Sequence, residues 1–93
     1  MSDVVLGGWT NFNFELTPEA KAAFAAATEG FVGQRFTPLA FATQVVAGLN
    51  YSFLCKAQLV IPNAPTRATK VHVYQPLPGQ GAPHITQIVD IAP

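Results

Sequence analysis

One change of period organises this chain. Between Thr17 and Gly33 the apolar residues Ala20, Phe24, Ala27 and Phe31 recur at spacings of 4, 3 and 4, which is the stripe of an amphipathic helix. After Gly33 the period becomes two and stays two. A helix followed by strands predicts an α+β domain, one α-helix packed across a four- to five-stranded antiparallel sheet. The 93 residues suffice for one such domain, residues 1–93, with residues 1–10 as a flexible lead-in around the paired glycines Gly7 and Gly8.

Local chemistry marks the boundaries. Thr17-Pro18-Glu19 offers a hydroxyl at the N-cap, a proline where its missing N–H costs nothing, and an acid facing the positive end of the helix dipole. Alanine then dominates as far as Glu29, and Gly30 and Gly33 supply helix-ending positions. Phe36 to Val46 reads as a strand in which Pro38 demands a sheet edge or a bulge, because proline cannot donate a ladder hydrogen bond. From Leu49 to Leu59 the residues Leu49, Tyr51, Phe53, Cys55, Ala57 and Leu59 face one way and Asn50, Ser52, Lys56 and Gln58 the other, with Leu54 the exception on the polar side. A short hairpin at Ala47-Gly48 joins these two strands, Ala68 to Gln75 forms a third, and a Pro/Gly-rich turn over 76–83 leads to a fourth from His84 to Ile91. Phe12, Phe14 and Leu16 alternate with polar residues and predict an extra short strand before the helix.

Composition excludes several classes of function. Only 11% of the residues are charged, five basic against five acidic, where about 25% is usual. Lys21, Arg35, Lys56, Arg67 and Lys70 are dispersed, so no basic stripe exists to neutralise phosphates, and nucleic acid is not expected as a partner. The apolar runs are far shorter than the ~18 residues a membrane helix requires, and Met1-Ser2-Asp3 opens no signal peptide, which predicts a cytoplasmic chain with no membrane partner. A single cysteine fits a reducing compartment.

Enzyme chemistry finds little to work with. Cys55 with His72 or His84 is the one nucleophile–base combination, yet Cys55 falls on the apolar side of its strand and His72 on the side expected to meet solvent. The chain therefore reads as a non-enzyme. Two histidines twelve positions apart and dispersed carboxylates close no metal site, no phosphate loop surrounds Gly7-Gly8, and no cofactor is expected.

Three turn elements carry the functional information: Leu6-Gly7-Gly8 before the helix, Gln44-Val45-Val46-Ala47-Gly48 between the first two strands, and Leu77-Pro78-Gly79-Gln80 between the last two. In an antiparallel meander both turns lie at the same end of the sheet, and a leading segment along that end completes an uncharged, largely apolar row. Gln44 to Gly48, continuing into Leu49-Asn50-Tyr51, resembles the Gln-x-Val-x-Gly first hairpin loop of the cystatins. Leu77-Pro78-Gly79-Gln80 resembles the second loop of their stefin branch, and Gly7-Gly8 is similar to the family's N-terminal glycine.

The resemblance implies a cystatin fold and reversible, tight-binding inhibition of papain-like cysteine proteases. By that resemblance Leu6 would fill a substrate-side pocket, Gly7 or Gly8 would let the chain pass the catalytic thiol, Gln44, Val45, Val46, Ala47 and Gly48 would enter the middle of the cleft, and Leu77 and Pro78 would pack on the leaving-group side. Three departures stand out: the helix is shorter than the family's usual one, Leu77-Pro78 replaces the Pro-Trp of secreted members, and Trp9, just after the glycines, has no counterpart in the family. Read without the family, the two loops are an ordinary hairpin and an ordinary proline–glycine turn, and Gly7-Gly8 belongs to a disordered tail. The alternative function is a non-inhibitory binding protein or engineered scaffold of the same fold displaying these loops. A monomer is expected, and opening of the first hairpin offers a route to a domain-swapped dimer.

Overall fold

The computed structural model describes residues 8–93. Its order is α1 (Pro18–Thr28), β1 (Gln34–Val46), β2 (Gly48–Leu59), β3 (Arg67–Gln75) and β4 (His84–Asp90). The strands form one antiparallel sheet in the order β1-β2-β3-β4, with the helix on one face. The domain is thus α+β, with four strands.

Helix α1 starts where the cap chemistry requires. Thr17 Oγ1 accepts a hydrogen bond of 3.1 Å from the Ala20 amide, Pro18 occupies the first turn, and Glu19 follows. With only 11 residues the helix is too short to persist alone in water, where roughly 12 to 15 are marginal, so its packed face holds it in place. That face is Ala20, Ala23 and Phe24. The two alanines are small enough to let the helix backbone approach the sheet, and Phe24 meets Phe53 edge to face at 4.9 Å. Phe31 departs from the expected stripe: the helix ends at Thr28, Gly30 turns the chain with φ of 76°, and Phe31 packs on Phe36 of β1 at 5.4 Å. Glycine's tolerance of positive φ ended the helix one turn before the apolar period did.

Tyr51, Phe53, Cys55, Val71 and Val73 complete the core beneath the helix, ringed by Leu16, Ala27, Phe36, Phe41, Leu49 and Ile85. Pro38 meets both of its conditions, since β1 is the outermost strand and its register with β2 slips between Pro38 and Ala40. One polar atom is out of place in this core. Thr69 is fully buried on the helix side of β3, and its hydroxyl has no hydrogen-bond partner. Replacing it with the similarly shaped valine removes a desolvated, unpaired group, so Thr69→Val is expected to raise stability by about 1 kcal/mol, read as a higher urea midpoint at unchanged slope.

Residues 8–14 form no regular strand before the helix. They run antiparallel to β1 along its outer edge through two isolated bridges, Trp9 to Gln44 and Asn13 to Phe41. The Asn13 and Phe41 amides each donate to the other's carbonyl, at 2.8 and 3.0 Å, and the Thr10 amide donates to the Thr43 carbonyl at 2.9 Å. Asn13 also turns its side chain back to accept from the Glu15 amide, which breaks the ladder before Leu16. Trp9 and Thr10 are consequently part of the sheet edge, where a flexible lead-in was expected.

Candidate functional site

The sheet register brings the two turns to one end. Gln75, the last residue of β3, lies opposite Leu49 at the start of β2, so the β1–β2 hairpin and the β3–β4 turn are neighbours. Trp9 paired with Gln44 brings the N-terminal segment to the same end, with Gly8 following on the hairpin side of that bridge. Of the row predicted from the sequence, Gly8, Gln44, Val45, Val46, Ala47, Gly48, Leu77 and Pro78 meet there; Leu6 and Gly7 lie outside the described residues. None of the gathered residues is charged.

The hairpin is as tight as a hairpin can be. Val46 pairs with Gly48, leaving Ala47 alone at the apex, exposed. Gln44 and Asn50 face each other across the ladder, and the Asn50 side-chain amide donates to Gln44 Oε1 at 2.9 Å, closing the base of the loop. Gly48 has φ of 109°, a conformation side chains rarely adopt, and a Cβ there would overlap the carbonyl oxygen of Gln75 and meet the Tyr74 ring at 3.2 Å. The backbone it approaches is that of its own β3.

Tyr74 is the residue that sequence reasoning missed. Its hydroxyl donates to the Ala47 carbonyl at the hairpin apex, and its ring meets His84, the first residue after the second turn, edge to face at 5.7 Å. One side chain thus ties both turns together. An aromatic residue near the end of a strand that leads into a functional turn was the available signal. The second turn itself follows its local sequence: the Gln80 amide donates to the Leu77 carbonyl at 3.0 Å, with Pro78 and a positive-φ Gly79 between them, the signature of a type II turn. It presents Leu77 to solvent with 48% of its surface exposed.

The sheet separates the candidate enzyme groups. Cys55 is buried under the helix, its thiol donating to the Phe53 carbonyl at 3.7 Å, while strand alternation puts His72 on the opposite face. Burial pushes the Cys55 thiol up to about 12, so almost no thiolate exists near neutrality. Because the folded thiol holds its proton more tightly than the unfolded one, with its ordinary value of 9.0, stability is retained below about pH 9 and falls as the pH rises from there toward 12. In the folded chain Cys55 is expected to resist iodoacetamide at about pH 8 and to react once urea exposes it. Among the described residues no group of three or more histidine, cysteine or carboxylate side chains could hold a metal ion, and no helix is long and apolar enough to cross a membrane.

His72 also differs from expectation. It was predicted to face solvent, but it is half-buried on the second face of the sheet, with the Trp9 ring edge to face at 6.1 Å. Burial first, and the neighbouring Lys70 cation second, hold its imidazole below the ordinary value of 6.5. Comparison of the chain with family models, with curated proteins and with solved structures finds no match.

Proposed function

We propose that this chain is a reversible, tight-binding inhibitor of papain-like cysteine proteases, built on the cystatin plan in its stefin form. The observation that carries the reading is the convergence of Gly8, the Gln44–Gly48 hairpin and the Leu77–Pro78 turn at one end of a helix-first, four-stranded meander. The row is uncharged, and its exposed members are small or apolar, the composition expected of the desolvated centre of an interface. A row of this kind fills a cleft with two turns and a chain segment and offers the nucleophile no suitably placed peptide bond, so it binds without being cut. Shape then supplies the specificity, since electrostatic steering needs charge that this end lacks.

Titration against papain tests the reading. Inhibition by the wild-type chain is expected at or below micromolar concentration, and Leu77→Glu and Ala47→Glu, each placing a charge on an exposed apolar turn, are expected to weaken it at least about tenfold with the circular dichroism spectrum unchanged. A folded chain that leaves papain fully active at micromolar concentration overturns the proposal and favours a non-inhibitory binding protein of the same fold.

A further inference from the structure

The second face of the sheet has an occupant. The residues of β1 and β2 beneath the N-terminal segment are small, Ala42 and Ser52, paired with each other in register, and His72 is the next partner across on β3. Trp9, the one tryptophan of the chain, meets His72 across this strip. A depression of about 210 Å³ is lined by Trp9, Phe12, Ala42, Ser52, Lys70 and His72, and a smaller one of about 130 Å³ lies where Trp9 and His72 meet Asn50, Thr86 and Gln87. Bulkier side chains at 42 and 52 would fill the strip the indole crosses. Among the described residues this segment joins β1 through two isolated bridges, Trp9 to Gln44 and Asn13 to Phe41.

We propose that Trp9 is the anchor that docks the N-terminal segment onto the second face of the sheet, across Ala42 and Ser52 and against His72, and thereby holds Gly8 in line with the first hairpin. The docking stands on the geometry alone; its consequence for binding rests on the inhibitor reading. Trp9 is in this sense a positioning residue. It sits 43% exposed and adjoins the row without forming part of the hairpin or the second turn. Among the described side chains around His72, Lys70 is the one that carries charge, and Thr10, Asn50, Ser52, Thr86 and Gln87 are neutral. None of the described side chains there is a carboxylate that would stabilise an imidazolium. Docking that buries His72 is therefore weakened as the pH falls through the imidazole's ordinary value of 6.5.

The test uses the full chain in three forms, wild type, Trp9→Ala and Trp9→Phe, each followed by a proton NMR titration of His72 and by papain inhibition. Trp9→Ala is expected to move the His72 midpoint up toward 6.5 and to weaken inhibition about tenfold, while Trp9→Phe restores most of both. A His72 midpoint identical in wild type and Trp9→Ala overturns the docking. If the wild-type chain inhibits papain and Trp9→Ala inhibits it equally well, the positioning role is wrong while the inhibitor reading stands. If the wild-type chain does not inhibit at all, the inhibitor reading falls and takes the positioning role with it, whatever His72 does.

Discussion

Gly48→Ala is expected to destabilise the protein by on the order of 3 kcal/mol, because two costs fall on the same methyl group. The first is conformational: at φ of 109° a side chain lies beyond even the left-handed region that non-glycine residues occasionally enter. The second is steric, since the new Cβ overlaps the Gln75 carbonyl oxygen, a backbone atom held in the sheet that cannot rotate away as a side-chain tip could. A chain of this length has roughly 5 to 14 kcal/mol of stability in all, so the loss is a large fraction of it. Relief requires the hairpin to move off β3, which also breaks the bond from the Tyr74 hydroxyl to the Ala47 carbonyl. Urea unfolding should show a lower midpoint at unchanged slope, and papain inhibition should weaken with it; a midpoint within error of wild type would mean that the hairpin is not pinned to β3. Gly48 is consequently a poor probe of contact with a partner. Ala47 and Leu77, whose exposed side chains have no such conflict, are the sharper ones.

Phe53→Ala is expected to cost about 4 kcal/mol, the largest effect of any single truncation in this core. Phe53 is 0% exposed on β2 and is the largest of the fully buried side chains. Its ring meets Phe24 from the helix edge to face, lies parallel to Tyr51 at 5.2 Å, and contacts Phe41 of β1 at 6.5 Å. Removing it opens a cavity at the point where helix and sheet are joined. An 11-residue helix has no independent stability to fall back on, so α1 should loosen along with the cavity. Calorimetry or urea unfolding monitored at 222 nm reads the loss, and a change below about 1 kcal/mol would show that the core can collapse around the gap. Against this, Thr69→Val acts in the same core with the opposite sign, which makes the pair an internal check on how the buried face is packed.

The scarcity of charge has a structural counterpart. Apolar side chains are exposed at the end of the sheet away from the two turns as well: Phe31 and Val32 precede β1, Leu59 ends β2, and Val60 and Ile61 follow it. The Val60 amide donates to the Gly33 carbonyl at 3.0 Å, so these two stretches lie together. A chain with few charges and apolar surface at both ends is prone to self-association, and its solution behaviour should be followed over a concentration series.

Most of the framework was legible because it is written in local rules. The Thr17-Pro18-Glu19 cap, the change of period at Gly33, the proline that needs an edge and the Pro78-Gly79 turn each depend on residues within a few positions of one another, and each is realised where it was read. Even the meeting of the two turns follows from antiparallel order alone. The errors have a common origin. Phe31 continued the helical period after glycine had already turned the backbone, Trp9 was read as part of a free lead-in, and His72 was read as facing solvent because its strand neighbours are valines.

What the sequence determined by itself is therefore the helix and the four strands after it, their order and the end of the sheet at which the turns gather, since capping, periodicity and turn chemistry act over one to four residues. The tertiary structure alone decided what lies across the sheet from what. Ala42 and Ser52 become a strip for the Trp9 ring only when β1 and β2 are in register and His72 stands beside them, and Gly48 becomes irreplaceable only when Gln75 closes on it from β3. Such contacts join residues tens of positions apart, where no spacing rule operates and only packing in three dimensions assigns a neighbour.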